Sequence, residues 1–137
     1  MKITLQDRSN YLKGLLVLIG KDRILEANEK FLFKEIGRIL QFSTEFVEQS
    51  LADFLDNEHI SQEPPIFSNQ FIAECFIKDA VKLAHIDDRF HNFESKWIAS
   101  TTKKNSLPND FITKVLASVK KISDLNINDF CASKLEF

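Results

Sequence analysis

Slid against itself by 65 positions, the chain aligns Tyr11–Leu51 with Phe76–Leu116 without a gap. Lys13 meets Lys78, Leu18 meets Leu83, Asp22 meets Asp87, Glu29 meets Glu94, Phe46 meets Phe111 and Leu51 meets Leu116. Tyr11 with Phe76, Leu25 with Phe90, Phe42 with Leu107, Glu45 with Asp110 and Val47 with Ile112 are near matches. The matches fall on apolar positions and on an acidic turn. A gapless repeat restricts the fold, because both halves must make the same elements in the same order. Each half opens on a helix that is apolar on most of its circumference, and neither can bury that helix alone. The two first helices are therefore expected to pack against each other.

Those elements should be helices. Gly 3 and Pro 3 in 137 residues leave few breakers for many short strands and turns. The first helix is expected from Thr4, a capping residue, to about Gly20, with Leu12, Leu15, Leu16, Leu18 and Ile19 making it apolar. Gly14 inside it suggests a close neighbour. A second helix is expected over about Glu26–Leu40, and a third from a cap at Thr44 carrying Val47, Leu51, Phe54 and Leu55. Pro64-Pro65 cannot continue a helix and marks the segment 56–68 as a linker. Ser68 or Asn69 should cap a fourth helix running to about His85 or Ile86. A fifth is expected over Asn92–Lys104, and a sixth with Pro108 in its first turn and a stripe of Phe111, Ile112, Val115, Leu116 and Val119. The fold class is all-α: one domain over 1–137, with repeat one at about 4–55, repeat two at about 69–121 and a tail at 122–137. Trp97 and the high count of Phe 13 predict an aromatic core.

A formal charge of −2 gives no basis for nucleic-acid binding. The run Leu15–Ile19 is too short to span a bilayer, and Asp7 and Arg8 interrupt any signal-peptide pattern; the expected location is cytoplasmic. Cys75 and Cys131 have no C-x-x-C spacing and stand beside aromatic residues, which reads as two buried free thiols. Between Arg38 and Lys78 there is no Lys or Arg, whereas Lys96–Lys121 is basic. That split describes either two solvated faces or a surface for a charged partner.

The order apolar helix, Asp, short turn, apolar residue, then Glu seven after the Asp resembles the TerB-like domain, a family named for bacterial tellurite-resistance proteins. The segment LAHIDDRFHNFE carries the likeness, which covers about residues 5–121. The family's Gly after the Asp is Arg23 in one copy and Asp88 in the other. The resemblance implies an all-α fold, a stress-response or scaffolding theme, and acidic residues gathered near the paired turns, where metal binding has been proposed for family members. A catalytic activity is not established for that family.

The candidate site residues are His85, Asp87, Asp88, His91 and Glu94 in the second turn, with Asp22 and Glu29 in the first. Imidazoles and carboxylates are the ligand types for zinc or a similar divalent ion. A structural account also covers them: Glu29 and Glu94 as capping-box residues, Asp22 and Asp87 as Asx-turn residues. No Ser–His–Asp order and no glycine-rich phosphate loop is present. The expected function is a non-enzymatic helical module that binds a protein partner or a second copy of itself, with no cofactor. The alternative is a divalent-metal-binding protein that uses the acidic turns. A metal-dependent enzyme is the remote third reading.

Overall fold

The computed structural model describes residues 3–20, 27–56, 63–84, 92–118 and 130–135. Six α-helices and a 3-10 turn follow one another: α1 Leu5–Ile19, α2 Ala27–Ile39, α3 Thr44–Asp56, α4 Gln70–Ala84, α5 Asn92–Lys104, α6 Phe111–Ser118 and the turn Cys131–Lys134. The described residues contain no strand. None of their helices is long and apolar enough to cross a membrane.

Local chemistry sets the helix ends. The Thr4 hydroxyl accepts from Asp7 N at 3.1 Å, and Asn69 Oδ1 accepts from Ile72 N at 2.9 Å. These two caps stand 65 residues apart, as do the first residues of α1 and α4 and those of α2 and α5. The stops match as well. Gln41 and Ser106 have φ of 68° and 58°. Phe42 N donates to Gly37 O and Leu107 N donates to Thr102 O, closing the same Schellman turn in each half. Two details differ from expectation. Ser43, not Thr44, caps α3, through a bond from Phe46 N at 3.1 Å. Pro108 precedes α6, its carbonyl accepting from Phe111 N in a turn, so the helix begins three residues after it.

Helices α1 and α4 pack together at the centre. Helix α2 lies on α1 and carries α3; α5 lies on α4, and α6 covers both. Leu18 and Leu83 are buried, as their matched positions on the two apolar helices require. Gly14 leaves room for a side chain of α4: a Cβ there would stand 2.6 Å from the Phe76 ring. Tyr11, Phe67, Phe76 and Trp97 form a run of ring contacts with centroids 5.2 to 6.0 Å apart, joining α1, the inter-half segment, α4 and α5. Each such pair adds about 0.5–1.5 kcal/mol beyond burial.

The extended residues 63–67 run back along α1. The Asn105 side chain receives Phe67 N at 2.8 Å and donates to Pro65 O at 2.9 Å and Thr101 O at 2.8 Å. Asp7 receives both the amide and the hydroxyl of Ser68. These side chains satisfy backbone groups that a Pro-containing segment cannot pair with itself. Their placement starts α4 beside α1.

The cysteines correct the sequence reading. Cys75 and Cys131 form a disulfide, their Cα atoms 5.3 Å apart, and are not free thiols. The tail returns to α4 at a sequence separation of 56, a tertiary event that no local spacing announces.

Candidate functional site

Of the residues singled out from sequence, Asp22, His85, Asp87, Asp88 and His91 lie outside the described residues. Glu29 and Glu94 are described. Each stands in the first turn of its helix, α2 or α5, and each is buried. A carboxylate at a helix N-terminus faces free N–H groups and the positive end of the helix dipole. Glu94 retains 8% of its surface, and its Oε2 has no hydrogen-bond partner among the described residues. No group of three His, Cys, Asp or Glu side chains gathers as a metal site among the described residues.

A second cluster, absent from the sequence reading, lies between α1, α4 and the C-terminal turn. Asp79 is fully buried in the middle of α4. Its Oδ1 accepts from Cys131 N at 2.6 Å, and its Oδ2 accepts from Ala132 N at 2.9 Å and from the Tyr11 hydroxyl. The carboxylate thus holds the start of the 3-10 turn. The Tyr11 hydroxyl also lies 3.4 Å from Cys75 Sγ, one helical turn before Asp79 on the same face. Lys82 rests over the Phe130 ring, its Nζ 5.9 Å from the centroid.

Burial dominates the electrostatics. Desolvation pushes the Asp79 carboxyl up to about 6, while its bonds from Tyr11, Cys131 and Ala132 and the charge of Lys82 pull it down. Burial raises the Tyr11 hydroxyl well above its ordinary value, and the charge and hydrogen bond of Asp79 add to the rise. The cluster therefore joins a disulfide, a phenol and a buried carboxyl whose pKa burial raises.

The 65-residue self-alignment held a signal for it. Where the first half has Asn10, Tyr11 and Gly14, the second has Cys75, Phe76 and Asp79. A carboxylate and a thiol four residues apart stand in this apolar helix at positions where the 65-residue alignment has no match.

A third feature is an open groove of about 400 Å³ between α1 and the inter-half segment, flanked by Lys13, Val17, Glu63 and Pro64.

The chain was compared with models of protein families, with curated proteins and with solved structures, and none of the three comparisons gave a match.

Proposed function

We propose that the chain is a non-enzymatic, TerB-like helical module made of two copies of a three-helix unit, and that it acts in a stress-response setting by engaging a protein partner. One observation carries this reading: the 65-residue register recurs in the helix starts, the Thr4 and Asn69 caps and the left-handed residues Gln41 and Ser106. A register kept at turns as well as in the apolar core is what duplication of one unit leaves behind. Large apolar side chains remain at the surface where the N-terminal ends of α1 and α4 meet the inter-half segment: Leu5, Ile66 and Phe71 are exposed. An apolar group at such a junction suits a protein contact. The test is in-cell crosslinking of the tagged chain in its native host, read by mass spectrometry, beside Leu5→Ser/Phe71→Ser. A defined partner, or a second copy, should crosslink to the wild type and be lost from the double variant. Identical crosslinks from both would refute the contact.

The orphan Oε2 of Glu94 favours a second reading, in which the acidic turns bind a divalent cation. Thermal unfolding with and without zinc, calcium or magnesium separates the two. A cation that binds only the folded state raises Tm. The interaction reading expects no rise in the wild type or in Glu94→Gln. A rise in the wild type that vanishes in Glu94→Gln establishes the cation reading.

A further inference from the structure

We propose that Cys75–Cys131 is a thiol–disulfide exchange site, in which an external dithiol attacks Cys131 and the Tyr11 hydroxyl receives Cys75 as the leaving thiolate. The geometry makes the two sulfurs unequal. Cys75 is buried in the middle of the molecule, whereas Cys131 is half-buried on the outer turn, so a reductant meets Cys131 first. Thiol–disulfide exchange requires the attacking sulfur to reach one disulfide sulfur while the other departs. A departing thiolate in an apolar interior needs a hydrogen-bond donor, and Tyr11 stands 3.4 Å from Cys75 Sγ. Asp79 accepts from the same hydroxyl in the oxidised chain, so the single hydroxyl proton must turn from Asp79 to the sulfur when Cys75 departs.

The exchange balances. One thiolate of the dithiol forms a bond to Cys131 Sγ, and the Cys75–Cys131 bond breaks with its electron pair left on Cys75. The Tyr11 hydroxyl turns its proton to the Cys75 thiolate, and the proton that makes Cys75 a thiol is the one the dithiol released to solvent on ionising. The second thiolate of the dithiol then attacks its partner sulfur in the mixed disulfide. It expels Cys131, which takes a proton from solvent. The dithiol is oxidised by two electrons and the protein disulfide is reduced by two.

Both redox states can hold the turn. The bonds of Asp79 to Cys131 N and Ala132 N do not involve sulfur, and Phe130 is fully buried beside them. The thiols therefore stay adjacent after reduction and can close again. Cellular dithiols keep such a pair open, and an oxidising compartment closes it.

The test uses the full chain, oxidised, folded and treated with glutathione or dithiothreitol. Peptide mapping of the trapped mixed disulfide should find glutathione on Cys131. Tyr11→Phe keeps the ring and removes the donor. It should slow reduction of the folded chain about tenfold, the loss of one hydrogen bond to a charged group, while denatured wild type and variant are reduced at equal rates. Reduced wild type should keep its helical circular dichroism and re-form the disulfide with oxidised glutathione. Should Tyr11→Phe not fold, the mapping on wild type decides alone. Glutathione on Cys75, reduction of wild type only as fast as global unfolding, or equal folded-state rates for wild type and a folded Tyr11→Phe would each overturn the proposal.

Discussion

Asp79 shows what one side chain costs and holds at this site. Its carboxyl is fully buried, takes three hydrogen bonds and titrates near 6, above the ordinary 3.8. A folded-state pKa above the unfolded one means that the folded chain binds the proton more tightly. The associated stability is complete below about pH 3.8 and is lost as pH rises through about 6. The difference corresponds to about 3 kcal/mol. The stability of wild type minus that of Asp79→Asn, from urea denaturation between pH 4 and pH 7.5, should fall by about that amount as pH rises. Parallel pH profiles for the two proteins would contradict the burial argument. Sequence periodicity did not reach this residue. It identifies Leu18 and Leu83 as core because apolar character at helical spacing needs no knowledge of partners. A charged residue in an apolar helix reads as an interruption until Tyr11 and the turn amides supply its solvation from remote parts of the chain.

Helix boundaries were far more legible, because caps and stops are local chemistry. Thr4 and the start of α4 at the Ser68-Asn69 pair follow from side chains that bond within a few residues, and α5 keeps the range expected for it. The Schellman turns were not anticipated, since neither carries the glycine that usually announces one. Gln41 and Ser106 occupy the left-handed region, where a Cβ costs about 1–2 kcal/mol. Gln41→Gly and Ser106→Gly should each stabilise the fold by about 0.5–1 kcal/mol, after the added freedom of the unfolded chain is subtracted. A loss of stability in urea denaturation would show that the side chains contribute more than the strain. Gly14 tests the opposite balance. Gly14→Ala gains up to about 1 kcal/mol of helix propensity. Its Cβ would stand 2.6 Å from a Phe76 ring that is itself fully buried and cannot swing away. Overpacking of this kind costs about 1–3 kcal/mol, so the net change in denaturation free energy should be destabilising.

Across the whole molecule, α4 is the element on which the others converge: α1, α5, α6 and the C-terminal turn all pack against it. The pairing of α1 with α4 was readable from the sequence, because two apolar helices need each other for burial. The return of the tail was not, since the turn has no counterpart in the repeated register and is held by a disulfide and one buried carboxylate. The disulfide closes a loop that contains α5 and α6, and the turn also touches α2 in the other half. By chain entropy, a loop of 56 positions is worth about 4 kcal/mol. The part recovered in practice is smaller, about 2–4 kcal/mol. A Cys75→Ala/Cys131→Ala variant should therefore lose about 2–4 kcal/mol in urea denaturation under oxidising conditions. Under reducing conditions the wild type should move towards the variant, whose own stability should not change. The loss should also be uneven. Hydrogen exchange should accelerate in α5, α6 and the C-terminal turn, which the loop encloses or ends in, and much less in α3, which packs on α2 outside it. Uniform acceleration through all six helices would mean that the two halves unfold only together, with α4 transmitting the loss of the cross-link to the whole bundle.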